Sequence, residues 1–166
     1  MNGASQTEWL RSPHISAGWP EPDAIATIVV HSLAQAIGAL SAAARAGRSV
    51  ALVSAPDAGG YVGPGWFKAL VAAARDAVPV IRCSTFLDCG DNVGAALAAI
   101  RAEVEGIIFT GRPDVAYRLA DIARQHSVCL KMERPSDALE LAGDFSASQE
   151  DLERRCAEFL GWVSQR

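Results

Sequence analysis

From Asp23 onward, apolar residues along the chain fall into two alternating rhythms. Short β-branched or fully apolar runs, the signature of buried strands, occupy Ile25–Val30, Val50–Ser54, Val80–Asp88, Gly106–Thr110 and Val128–Glu133. Helical periods lie between them. Ser32 opens the first, with Leu33, Ile37, Leu40 and Ala44 on one face, Ser32 and Gln35 at capping-box spacing and Gly47 as the stop. A glycine-rich loop then leads to Pro64, tolerated in a first helical turn, and a helix that buries Trp66 or Phe67 with Leu70, Val71 and Ala74. Val93, Ala96, Leu97, Ile100 and Val104 form the cleanest single stripe. Pro113 starts a helix with Val115, Leu119, Ile122 and His126 on a common face. A turn at Ser136–Leu141 leads to the last helix. Ser148 is its cap, Glu150 and Asp151 suit its positive end, and Leu152, Phe159, Leu160 and Val163 make its face, with Trp162 beside them.

Five strand–helix units predict a single α/β domain over 24–166, a parallel five-stranded sheet with helices on both faces and a half-barrel as the alternative. Residues 1–23 lack either rhythm and form an N-terminal arm. Its Trp9 and Trp19 suggest packing on the domain or on a neighbouring subunit, since disordered segments are poor in aromatics. The chain of 166 residues fits one domain, and no apolar run approaches the ~20 residues of a membrane span.

Charge and cysteine content narrow the partners. A net charge of -4 argues against nucleic acid and against a membrane surface, both of which call for basic patches. The polar N-terminus does not read as a signal peptide, so a cytoplasmic, reducing location is expected. Cys83, Cys89, Cys129 and Cys156 form no CxxC pair, and none lies at zinc-site spacing with His14, His31 or His126. Free thiols are expected, and neither a metal nor a cofactor.

Ligands of parallel sheets bind at the carboxyl ends of strands, so the residues that follow each strand are the candidates. His31 and Ser32 follow the first, and Pro56, Asp57, Gly59 and Gly60 the second. Asp88, Cys89, Gly90 and Asp91 come after the third, Thr110, Gly111 and Arg112 after the fourth. The fifth carries Lys131 and Glu133 and ends at Arg134. Asp57, Asp88, Thr110, Arg112 and Arg134 are the candidate ligand-binding set, and Asp88, Asp91 and Lys131 the candidate catalytic ones. Each also has a plainer role. Asp91 serves as the N-cap of the next helix, and Lys131 is structural if it lies on an edge strand or pairs with Glu133. The loop Gly59–Gly65 matches no phosphate-binding motif, and Pro64 removes one amide donor. Its other reading is a mobile flap carrying Tyr61 and Trp66. Cys89 is flanked by Asp88 and Asp91, which oppose a thiolate. His31 could act as its base only if the first and third strands are neighbours.

From Asp88 to Pro135 the chain resembles the receiver domains of two-component signalling. Asp88 stands at the phosphoacceptor place, Thr110 at the end of strand four, and Arg134–Pro135 where those domains carry Lys–Pro. Their acidic pair after strand one is replaced here by His31–Ser32. The resemblance implies a flavodoxin-like, degenerate receiver that does not take phosphate in the usual way. The run Asp88–Val128 also resembles two consecutive units of keto-deoxy-phosphogluconate-type aldolase barrels. That implies a Schiff-base lysine and a general-base glutamate on eight strands, more than this chain holds.

The leading expectation is a regulatory α/β domain that binds a small anionic metabolite or a protein partner, without complete catalytic machinery. The first alternative is a lyase or isomerase of a carboxylated or phosphorylated metabolite. Asp88 or Asp91 would be its base, Arg112 and Arg134 its anion clamp and Lys131 its electrophile. The second is a structural homo-oligomer fixed by the Trp-bearing arm, and a homo-oligomer is the expected state in any case.

Overall fold

Each apolar run of the chain finds its neighbour in sequence as its neighbour in space. The structure, a computed structural model, describes residues 25–79 and 82–163. In order these form β1 (Ala26–Val30), α1 (Leu33–Arg45), β2 (Val50–Ser54), the short α2 (Ala58–Tyr61), α3 (Gly63–Ala77), β3 (Cys83–Asp88) and α4 (Val93–Arg101). Then follow β4 (Gly106–Ile108), α5 (Pro113–Gln125), β5 (Cys129–Lys131), β6 (Leu139–Glu140) and α6 (Gln149–Val163). The arm with Trp9 and Trp19, Val80, and the side chains of Trp162 and Val163 lie outside what is described.

The single parallel α/β domain is as expected, but with a sixth strand. The sheet order is β5-β4-β3-β2-β1-β6, parallel throughout. The extra strand falls inside Ser136–Leu141, expected to be a turn. There Leu139 aligns with Ile28 and Glu140 with Val29. Two residues of alternation are too few to stand out in a sequence.

The order of strands also corrects the expected layering. A flavodoxin-like sheet reverses direction after its first strand, which sends helices to both faces. Here β1 to β5 advance one way. Successive right-handed crossovers then set every helix on the same side, as in the half-barrel alternative. The core divides accordingly. Ile28, Leu52, Leu87 and Ile107 pack with Leu40, Phe67, Ile100, Leu119 and Leu160 of the helices. A second, smaller cluster, Ala51, Val53, Phe86 and Ile108, is made of strand residues alone.

Which face each helix buries depends on its neighbours. α1 lies between α3 and α6, and its buried residues include Ala36, Ala39, Leu40 and Ala43, while Leu33 is 40% exposed and Ala44 exposed. Small residues permit the close crossing with α6: a Cβ on Gly38 would lie 2.9 Å from that of Leu152. In α3 Phe67 is buried and Trp66 faces out. In α5 the stripe is Ala116, Leu119 and Ala123, leaving Ile122 and His126 exposed. Helix starts agree more closely with the sequence. Ser32 Oγ accepts from Gln35 N at 3.3 Å, Ser148 Oγ from Asp151 N at 3.1 Å, and prolines open α3 and α5.

The connection from β5 to β6 joins the two outer strands of the sheet in residues 132–138. Fully extended it reaches about 28 Å, while five strand gaps of a flat sheet span about 24 Å. Such a segment has little slack and must cross the carboxyl ends of the intervening strands.

Candidate functional site

Where that connector crosses, it places Arg134 on Asp88. Asp88 ends β3 with its side chain only 2% exposed. Its Oδ2 accepts from Arg134 Nε at 2.6 Å, and its Oδ1 from Arg134 Nη2 at 3.0 Å. Oδ1 also takes the backbone N–H of Asp57 at 3.0 Å and of Gly90 at 2.9 Å. The same Nη2 reaches Asp57 Oδ1 at 2.9 Å. A buried carboxylate needs this many donors to offset its lost hydration. The hydrogen bonds it donates to Asp88, and then the negative charge of both carboxylates, push the Arg134 guanidinium further above its ordinary range. Two left-handed residues shape the loops, Asp57 at φ 60° and Gly90 at φ 54°. A side chain at Gly90 would collide with Asp57 Oδ1.

Thr110 and Arg112 stand apart from this ion-pair knot. With Asp91, Val93, Phe109 and Val115 they line an open cleft of about 410 Å³ between the β3–α4 loop and the start of α5. Thr110 N donates to Gly90 O at 2.8 Å, which ties the cleft to the Asp88 loop. Arg112, 80% exposed, holds Asp114 through Nε and Nη2, both at 3.0 Å. That contact keeps the Asp114 carboxyl below its usual range. Asp91 is not the helix cap: Asn92 is, accepting from Ala95 N at 3.0 Å.

Lys131 lies on the helix-free face of edge strand β5, its Nζ 4.3 Å from the centre of the Phe86 ring. A ring face attracts an ammonium ion. Gly106 makes the contact possible, because a Cβ there would come 2.5 Å from the Phe86 ring. Phe86 is thus a neighbour of this edge-strand lysine.

A Cys89–His31 nucleophile has no basis in the fold, since β2 separates β1 from β3. Burial, reinforced by the charge of Asp88, pushes the Cys89 thiol up to about 12. Its sulfur also rests close against α2, where a Cβ at Gly59 would lie 2.7 Å away. The glycine-rich segment forms α2 and the start of α3, with Gly59 packed against the end of β3. His31 instead meets a residue that sequence reasoning missed: its Nε2 lies 2.6 Å from Glu140 Oε1. Gln35, fully buried, completes that corner by accepting from His31 N at 2.7 Å and donating to Leu141 O at 2.8 Å. The Leu-Glu-Leu alternation at 139–141 was the one available signal. All four cysteines are free. Among the described residues no group of three or more His, Cys, Asp or Glu could hold a metal ion, and no helix is long and apolar enough to cross a membrane.

No protein-family model and no curated protein matches this chain. A solved structure does: a protein of Coccidioides immitis provisionally named a fructose-1,6-bisphosphate aldolase, with a TM-score of 0.55 and 15% identity. The match covers 85% of this chain and 53% of that one, so this chain corresponds to about half of its neighbour. Likeness at this identity concerns the fold alone. At that level the parallel α/β sheet fits a weak resemblance to that neighbour, while the strand order departs from the receiver layout.

Proposed function

We propose that this chain is a regulatory α/β domain that binds a small anion at the carboxyl ends of its strands, without a complete catalytic set. The observation that carries the reading is the cleft of about 410 Å³ with the exposed guanidinium of Arg112 at its mouth and Thr110 on its wall. The amino end of α5 opens onto the same place and favours negative charge. Arg134, shared by two carboxylates, holds the mouth of the sheet, and Arg112 is the anion contact. Titration of the protein with inorganic phosphate and with pyruvate, followed by amide NMR, tests this. Saturable shifts at Thr110–Val115, lost in Arg112→Glu with the fold intact, are expected. Absence of binding by both anions, or binding indifferent to Arg112→Glu, would sink the reading.

The name of the structural neighbour supports a second reading, a lyase in which Lys131 is the electrophile. In that scheme the base falls to Asp91, since the Asp88 carboxylate is filled by Arg134 and two amides. Borohydride reduction in the presence of pyruvate would then add mass at Lys131, and no adduct would exclude the Schiff-base route.

A further inference from the structure

Of the seven large apolar side chains exposed among the described residues, six sit at one end of the molecule. Leu33 and Val93 begin α1 and α4, Tyr61 and Val62 follow β2, Trp66 lies in the first turn of α3, and Phe145 follows β6. Every one of these positions belongs to the carboxyl end of the sheet. Ile122, far along α5, is the exception. We infer that this rim is a self-association surface, covered by a second copy of this chain about a two-fold axis near Val93.

Size and charge both argue for a second copy. Aromatic side chains carry about 150–250 Å² each, aliphatic ones somewhat less, so six of them at 38–67% exposure present about 500 Å² of apolar surface. A standard interface buries ~800 Å² per partner, a little under two thirds of it apolar, which is the same amount. Apolar surface of this extent is in the upper part of the range of the largest patch on a typical monomer, where such patches often serve an interface. The polar groups around it suit a symmetric pairing. Asp91 and Arg112 line the same cleft as Val93, and both are exposed. With the axis beside Val93, Arg112 of each copy would face Asp91 of the other, the self-complementarity that a two-fold interface requires. Arg112 uses Nε and Nη2 for Asp114, which leaves Nη1 as the nitrogen for that second copy. An anion on Arg112 would compete with that Asp91, which connects self-association to the proposed ligand. The test below uses ligand-free protein, so that either idea can fail alone.

Light scattering on the full chain, over a wide range of concentration, should give twice the 17.5 kDa chain mass. Trp66→Glu and Val93→Glu should each weaken association at least ~10-fold with an unchanged circular dichroism spectrum, and Ile122→Glu should not. Asp91→Arg should weaken it too, and adding Arg112→Asp should restore it. A monomeric wild type, or an assembly that survives both glutamate variants, overturns the inference. A double swap as weak as the single one overturns the placement of the axis.

Discussion

Arg134 Nε lies 2.6 Å from Oδ2 of Asp88, so a residue of the β5–β6 connector neutralises the carboxylate at the end of β3. The pair and two backbone amides, those of Asp57 and Gly90, occupy the oxygens of the Asp88 carboxylate.

Breaking such a pair has a cost that can be bounded. Leaving a buried charge without its partner costs about 3–5 kcal/mol. Arg134 is 42% exposed and Asp88 keeps two amide donors, which brings the expected loss for Arg134→Met to about 2 kcal/mol. Asp88→Asn retains the acceptor for those amides and should cost less. Chemical denaturation of the single and double variants checks this, with the double less destabilised than the sum.

Gly90 and Gly47 both have positive φ, 54° and 62°, but only Gly90 also lacks room for a Cβ. Gly47→Ala should therefore cost about 1 kcal/mol from backbone strain alone. Gly90→Ala adds a collision with Asp57 and should cost clearly more, and should disturb the Arg134 contact as well. Thermal melts of the two variants side by side settle the comparison.

The cap of α4 separates two adjacent residues. Asn92→Ala should lose about 1 kcal/mol, because Ala95 N loses its acceptor. Asp91→Ala should change stability little. Equal losses in denaturation midpoints would contradict the cap assignment.

Buried thiols set an alkaline limit. Burial raises Cys83 to about 11 and Cys89 and Cys156 to about 12, against about 8.5 for a thiol in the unfolded chain. The folded state favours the neutral form. Its advantage is complete below the unfolded value and is lost as pH rises through the folded ones. Stability should fall steadily from about pH 9 upward, and less steeply in Cys89→Ala. Unfolding at a series of alkaline pH values measures the slope, and iodoacetamide at pH 8 should label these thiols slowly until the protein is unfolded.

Local physics was legible in the sequence, and so was the class of fold. Ser32, Ser148, Pro64 and Pro113 act within one helical turn, so their residue types alone announce where helices begin. The runs around Ile28, Leu52 and Ile107 are apolar on both sides, as a covered parallel sheet demands. Tertiary structure decided what depends on distant neighbours. Leu33 was as good a core residue as Ala36 until α6 approached closely enough to prefer the small side chains. β6 exists because β1 offers it an edge, since two residues carry no propensity of their own. The direction in which the strands advance put the helices on one face, and a short connector then had to cross the open end. That path, which no local pattern encodes, joined Asp88 to Arg134 and left Thr110 and Arg112 to a separate cleft.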